Sequence, residues 1–433
     1  MKSALLPVLS QWNRWGGASL HSGYPRSIIK KTLPFLNTPE IITLVGLRRC
    51  GKTTLLYQIM DVLEKQGILP EAMLHMNFEE PAIALDVKLE ILDELYQTYR
   101  REIYPQGKAF LFFDEIQNVP GWERWARARN DSEEIKIFIT GSSAHLMSRE
   151  LGTVLTGRHV EFYLSSLSFL EYLHFKNIAI PKKMLKTDPS PLIQNALKQY
   201  LTWGGLPEIV LSENVDRKRV LLKQYLDDIL FKDVAMRHQI RDIVLLRNMA
   251  IHLITHTACL TSINRLAKIF EISLETVANY CHFLQESFLI DFLPYFSLKT
   301  AERMRNPQKI HVCDLGFRQV MSFSNSPDYG KLAETLVYQQ LQRQYRGDIF
   351  YWKGVQEVDF VVRKGNDIHR IIQVAYDVPD NTDTWQREMT ALEEAEQRFP
   401  HASSTLLVGQ LPKMHNKRLL PLWHQLLGIN ESA

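Results

Sequence analysis

Residues 41–53 read IITLVGLRRCGKT, and this short run constrains the fold more than any other in the chain. Ile41–Val45 is an unbroken apolar stretch of strand length, as expected for a strand buried on both faces. Two glycines, Gly46 and Gly51, bracket the loop that follows, and a helix-period segment, TTLLYQIMDVLEKQ, comes directly after. Glycines let a loop turn closely, and the first N–H groups of a helix pointing into it favour an anion. The spacing GxxxxGK[ST] adds an ammonium at Lys52 and a hydroxyl at Thr53. The expected phosphate cradle is therefore Gly46, Leu47, Arg48, Arg49, Cys50, Gly51, Lys52, Thr53 and Thr54. Lys52 is assigned to the β- and γ-phosphates of ATP and Thr53 to Mg²⁺. Of the two arginines, one is expected to touch phosphate and the other to be solvated. A plain glycine turn between strand and helix is the alternative, and the Lys-Thr pair in register weighs against it.

A second signal tests the first. Ala109–Asp114 is an apolar strand ending in two acids, Asp114 and Glu115. Asp114 at the strand tip is placed to hold Mg²⁺ through water, and Glu115 to polarise an attacking water as general base. The strand IKIFIT ends in Thr-Gly-Ser-Ser, so Thr140 and Ser142 are candidates to sense the terminal phosphate; a helix N-cap is the rival reading. Arg158, in Thr-Gly-Arg-His, is the candidate to meet transition-state charge, in cis or from a neighbouring subunit, with a surface salt bridge as the bland alternative.

The wider pattern is α/β. Strand candidates Ile41–Val45, Met73–Asn77, Ala109–Asp114, Lys136–Thr140 and Val160–Leu164 alternate with helix-period segments, which predicts a mostly parallel P-loop sheet with helices on both sides. At 433 residues there is room for several cores. The expected organisation is a helical lead-in over 1–39, a P-loop ATPase core over 40–175, and a helical region over 176–292. A wing or connector over 293–330 and an α/β domain over 331–433 follow. A net charge of +3 does not by itself imply a polyanion partner. Four cysteines with no CxxC pair read as buried thiols in a reducing compartment. No stretch reaches 18 apolar residues and the N-terminus is a poor signal peptide, so a cytoplasmic chain with no membrane partner is expected.

Several segments taken together carry a family resemblance. GLRRCGKTTLL, HMNFEEP, FFDEIQNVPGWE, IFITGSSAHL and LTGRHVEFYLSSLSFLEYL resemble the prokaryotic AAA-like ATPases of the AAA-14 type. YLTWGGLPEIV, KIHVCDLGF and the EVDF segment resemble the domain of unknown function that usually follows that ATPase. The resemblance covers nearly the whole chain. It implies a P-loop core, a winged-helix region and a restriction-nuclease-like α/β end.

Within the middle, residues 261–281 have helix-turn-helix spacing: Leu266, Ile272 and Val277 face inward and Ser273 caps the second helix. LIDFLPYFSL and KIHVCDL are candidate wing strands bracketing Lys299, Arg303, Arg305 and Lys309, a cation group suited to phosphates. The second helix, 274–286, has no Lys or Arg, and Glu275 lies near its start. Non-specific DNA contact or protein packing is therefore expected over sequence-specific reading.

At the C-terminal end, EVDFVVRKGNDIHRIIQVAY resembles the hairpin on which PD-(D/E)XK nucleases present metal-binding carboxylates. Glu334 on a preceding helix and Asp359 on the first strand are the candidate metal ligands. The second strand carries Gln373 and Ala375 where that pattern has an acid and a lysine. Lys353, Lys364, or Arg387 with Glu388 are candidate substitutes. A nuclease-like fold kept for structure or partner binding is the preferred expectation. For the whole chain the expectation is a Mg²⁺-dependent ATPase coupled to a helix-turn-helix and a nuclease-like domain. A nucleotide switch with negligible turnover and an ATP-coupled nuclease are the alternatives, and DNA, a protein or a second copy are the candidate partners.

Overall fold

The computed structural model describes residues 5–81, 88–143, 157–180, 191–322, 328–377, 383–411 and 417–428. The chain divides into two compact units, Met1–Leu164 and Ser165–Ala433.

The first unit is built on five parallel strands: β1 (Ile41–Val45), β2 (Met73–Asn77), β3 (Ala109–Asp114), β4 (Ile135–Gly141) and β5 (His159–Tyr163). Their order across the sheet is β2-β3-β4-β1-β5. Every residue of β1, β3 and β4 is buried, which is why these strands are largely apolar rather than alternating, with Thr43, Asp114, Lys136 and Thr140 the polar exceptions. The connections leaving β1 and β4 run to opposite edges of the sheet, and a crevice opens at strand tips where the order reverses in this way. The lead-in helix Leu5–Trp12 covers the edge strand β2. Asn13, fully buried, accepts from the His75 N–H at 2.6 Å and donates to the His75 carbonyl at 2.8 Å. Its amide thus completes the ladder of an edge that would otherwise expose peptide groups.

The second unit begins with helices Phe169–Phe175, Pro191–Trp203, Pro207–Leu211, Val215–Asp228 (continuing as a π-helix through Met236) and Ile243–Thr255. The helix-turn-helix follows as Ile263–Phe270 and Leu274–Glu286. Leu266 and Val277 are fully buried and Ile272 half-buried. Ser273 caps the second helix by accepting from the Thr276 N–H at 3.1 Å. Three short antiparallel strands flank the pair in the order β6-β8-β7: β6 (Leu260–Thr261), β7 (Ile290–Leu293) and β8 (Gln308–Val312). A helix, Thr300–Arg305, occupies the expected wing loop.

The C-terminal sheet is mixed. Strands β9 (Ile349–Lys353), β10 (Glu357–Lys364), β11 (Asp367–Ala375), β12 (Ser403–Val408) and β13 (Leu419–Pro421) lie in the order β13-β12-β11-β10-β9. β9, β10 and β11 pair antiparallel, while β12 and β13 add in parallel. The helix Asp383–Arg398 buries Ala391, Leu392 and Ala395 in this sheet's core, beside Ile371 and Leu406. The two sheets of this unit are joined by backbone: Phe296 N–H donates to Tyr351 O at 2.7 Å, and Tyr351 N–H to Pro294 O at 3.0 Å.

Two sequence motifs clasp each other inside this unit. The buried Asp314 carboxylate accepts from Gly205 N–H at 2.8 Å and Gly316 N–H at 2.9 Å. Gly204 has φ +71, and a Cβ there would meet Asp314 Oδ1 at 1.9 Å. TWGGLPE and CDLGF are therefore complementary halves of one contact.

Candidate functional site

The tips of β1, β3 and β4 bring the expected nucleotide residues together. β1 runs straight into the loop, and both loop glycines have φ values that L side chains rarely adopt: +156 at Gly46 and +101 at Gly51. A Cβ on Gly46 would stand 2.0 Å from Leu164 O, so the close approach of two chain segments requires glycine there. Arg49 also has positive φ and is exposed, whereas Leu47 and Cys50 are buried. Burial pushes the Cys50 thiol up and keeps it neutral.

Lys52 opens the helix Lys52–Lys65, and its Nζ donates to Gly46 O at 3.1 Å and Leu47 O at 3.3 Å. It also lies 3.4 Å from Glu115 Oε1. Thr53 Oγ1 donates to Asp114 Oδ2 at 2.6 Å. The Thr140 hydroxyl donates to the other Asp114 oxygen and accepts from Glu115 N–H at 3.0 Å. Thr140 thus ties β4 to both acids of β3. Ser142, buried at the end of β4, is reached by Gln117 Nε2, which also donates to Glu115 Oε2. The helix expected after Ser143 lies outside the described residues. Thr54 stands against the lead-in, with its Cγ2 3.5 Å from where a Cβ on Gly23 would be.

The electrostatics divide the two acids. Burial, with the neighbouring Glu115 charge second, raises the Asp114 carboxyl above its usual range. Burial also acts to raise Glu115, but the Lys52 ammonium and then Arg48 outweigh it and hold that carboxyl low. The acids therefore differ in proton affinity although they are adjacent in sequence.

Four supporting residues were not singled out from the sequence. Arg48 is held by Glu79 in a two-point pair at 2.9 and 3.3 Å, which steers it away from free solvation. Arg26 Nη1 donates to the loop carbonyl of Cys50 at 2.8 Å. Gln58 binds the lead-in backbone at Ser22 O and Tyr24 O, both at 2.7 Å. Gln117 orients Glu115 as described. Glu79 and Gln117 lie within the quoted HMNFEEP and FFDEIQNVP segments, the signal that could have exposed them.

Arg158 is elsewhere. Its carbonyl accepts from Ile41 N–H at the N-terminal ends of β1 and β5, the opposite end of the parallel sheet from the glycine loop. Its guanidinium pairs with the exposed Asp131. An arginine supplied in cis by Arg158 is thereby corrected: the length of β1 separates it from Lys52.

The C-terminal acids do come together, but around an unexpected group. Lys309, on β8, is buried, and its Nζ lies 2.8 Å from Glu334 Oε1, 2.8 Å from Glu357 Oε1 and 2.8 Å from Asp359 Oδ1. The expectation that Lys309 faces phosphates with Lys299, Arg303 and Arg305 is corrected accordingly. Alternation along β8 explains this: Lys309 and His311 point to one side, where His311 stacks on Tyr338 with ring centroids 4.2 Å apart. A bulge in β10 between Val358 and Val361 re-aims Asp359 toward that side. Asp359 Oδ2 also accepts from Val374 N–H at 2.9 Å.

Both ends of the Gln373 amide are engaged by protein groups. Its Oε1 accepts from Asp359 N–H at 2.9 Å and its Nε2 donates to Glu388 Oε2 at 2.5 Å, while Arg387 holds the other Glu388 oxygen at 2.6 Å. Lys353 and Lys364 are exposed at the ends of β9 and β10. Among the described residues, no group of three or more His, Cys, Asp or Glu is arranged to hold a metal ion. No helix among them is long and apolar enough to cross a membrane.

Comparison with known proteins divides the chain into three matched segments. Residues 38–173 match the family model of an AAA domain, 194–328 that of the domain of unknown function DUF8612, and 329–408 that of DUF4143. The uncharacterized protein MJ1544 of Methanocaldococcus jannaschii is 34% identical over 365 residues, covering 82% of this chain and 78% of that one. An uncharacterized protein of Haemophilus influenzae is 29% identical over 360 residues, 82% of this chain and 87% of the other. Among solved structures, the Aeropyrum pernix ORC1 protein in complex with DNA aligns at 13% identity and a TM-score of 0.30, over 74% of this chain and 94% of that one. The glycine loop, the paired acids and identity across most of both chains lead to one assignment: the chain belongs to the family of MJ1544, with an AAA-type P-loop NTPase domain followed by DUF8612 and DUF4143.

Proposed function

We propose that the chain is a Mg²⁺-dependent ATPase. The observation that carries this reading is the hydrogen-bonded chain Thr53–Asp114–Thr140–Glu115, which joins the start of the helix Lys52–Lys65 to the tips of β3 and β4 and brings together residue types suited to metal binding, phosphate sensing and general-base work. The residues fit nucleotide and metal: a glycine loop leading into a helix N-terminus, a lysine at its base, and a hydroxyl–carboxylate pair of the hard oxygen type that Mg²⁺ requires. When bound, Mg²⁺ compensates phosphate charge as a Lewis acid.

The protein's own residues supply the rest. Thr53 and Asp114 would hold the metal, and Lys52 the terminal phosphates. Glu115 is the base, yet in the present arrangement Lys52 lowers its proton affinity. Moving Lys52 off Glu115 restores the carboxylate's basicity, so the base is strengthened as its lysine is called away. Thr140 then reads the position of the site against both acids. The test is turnover of ATP by the full chain, with Lys52→Ala and Glu115→Gln beside it. Lys52→Ala should lose binding and turnover. Glu115→Gln should bind ATP with turnover reduced by about 10²-fold or more. Unchanged turnover in both variants overturns the reading.

For the second unit, the helix-turn-helix with its three strands supports a winged-helix assignment, and Lys299, Arg303 and Arg305 support non-specific phosphate contact. The mixed sheet with Glu334 on a helix and Asp359 on a bulged strand supports a restriction-nuclease-like fold. The engagement of Lys309 and Gln373 favours a fold kept without metal-dependent cleavage. Incubation with Mn²⁺ and varied DNA tests this: cleavage by the native chain that is lost in Asp359→Ala overturns it.

A further inference from the structure

We propose that Lys309 is the resident cation of the C-terminal acidic pocket. It is a tethered ammonium in the place a divalent ion would need, and it latches the β6-β8-β7 sheet to the mixed sheet. An ammonium has three protons and no acceptor, and three carboxylate oxygens from Glu334, Glu357 and Asp359 converge on it at 2.8 Å each. That separation is the length of a charge-assisted N–H···O bond, whereas oxygens around a hard divalent ion close to about 2.0–2.6 Å. The same three oxygens cannot serve both centres. Nor is Lys309 well placed to position a water, because it donates to Glu334 and Asp359 and is paired with Glu357 at 2.8 Å.

The surroundings point the same way. Gln373, at the position where an acid would complete a metal set, is turned to the Asp359 backbone and Glu388. Lys309 comes from β8, while the acids come from the helix Tyr329–Tyr345 and from β10, so the contact joins two sheets. A buried ammonium or a buried set of carboxylates is costly alone; together they compensate, and removing one side strands the other. His311, on the same side of β8, meets Thr335 and Tyr338 from the same helix as Glu334, which extends the seam beyond the charged group. Withdrawing β8 would leave the carboxyl groups of Glu334, Glu357 and Asp359 facing one another, and a divalent cation, displacing the Glu334 proton, is the chemical class that can replace the ammonium there.

The experiment uses the full chain without nucleotide, comparing native protein with Lys309→Met, Lys309→Met/Asp359→Asn and Lys309→Met/Glu334→Gln/Asp359→Asn. Mn²⁺ binding is followed by electron paramagnetic resonance, and thermal unfolding is measured in EDTA and in Mn²⁺. The native chain should show no Mn²⁺ binding that depends on Asp359. Lys309→Met should unfold in EDTA at a temperature lower by roughly 5–10 °C. Mn²⁺ should restore much of that loss, with one ion bound per chain, and Asp359→Asn in the same chain should abolish the binding. If Lys309→Met fails to fold, the triple variant decides: removing the acids together with the ammonium should return a folded chain. Asp359-dependent Mn²⁺ binding by the native protein overturns the proposal. So does a Lys309→Met chain as stable as the native one, or one recovered neither by Mn²⁺ nor by loss of the acids.

Discussion

The Lys309 ammonium and the Asp359 carboxylate meet at 2.8 Å although they lie on strands of different sheets. Their contact is closed by Glu334, whose carboxyl is raised to about 8, first by burial and then by the Asp359 charge, with Lys309 opposing both. The folded chain therefore holds a proton on Glu334 that the unfolded chain has released over the range from about 4.5 to about 8. A raised carboxyl means more protons bound in the folded state, so this group's contribution to stability falls as pH rises through that window.

Glu334→Gln should remove this slope. Gln is neutral at every pH and mimics the protonated acid, so the variant should match the native chain near pH 5. It should exceed it near pH 8 by roughly 3–4 kcal/mol. Denaturant unfolding of both chains at pH 5, 6.5 and 8 checks this; parallel pH profiles would show that Glu334 does not carry the proton.

Thr53→Ala should separate metal from nucleotide. The hydroxyl's protein partner is Asp114 Oδ2, at 2.6 Å. Its loss should weaken Mg²⁺-dependent ATP binding by about tenfold or more while leaving metal-free nucleotide binding within about threefold. Thr53→Ser should keep both. Titration of a fluorescent ATP analogue with and without EDTA measures the difference.

Arg158→Ala should leave nucleotide affinity of the isolated chain unchanged, because the residue sits at the far end of β1 from Lys52. Its pair with Asp131 is exposed, so stability should change by less than about 1 kcal/mol. Turnover that falls in Arg158→Ala only at high protein concentration would identify it as acting on a neighbouring copy.

Gly204→Ala should unfold the second unit more readily, by roughly 2–4 kcal/mol. The substitution combines a positive φ with a Cβ 1.9 Å from Asp314 Oδ1, displacing a carboxylate that caps two backbone N–H groups. The loss should appear in thermal unfolding while ATP binding by the first unit is retained.

Function is legible in this chain where chemistry is carried by neighbours in sequence. Gly46, Gly51, Lys52 and Thr53 lie within one loop and helix start, and Asp114 with Glu115 at one strand end, so spacing alone places them. The largely apolar runs of β1, β3 and β4 announce a parallel buried sheet for the same reason. Arg158 shows the limit of such reading. Its motif is local, but the end of the sheet on which it falls depends on strand direction and order. Lys309 shows the limit more sharply. In the sequence it is one of four cations in a polar stretch, and a lysine looks the same whether solvated or buried.

The glycine loop, the paired acids and the helix-turn-helix are legible in local sequence, because each depends on contacts within a few residues or on a repeating apolar period. Folding alone brings Lys309 into the acidic pocket, turns Gln373 to Glu388, and closes Asp314 on Gly205. Those pairings join positions 50, 15 and 109 residues apart. Their energy comes from desolvated charge and hydrogen bonding, which exist only once packing has excluded water.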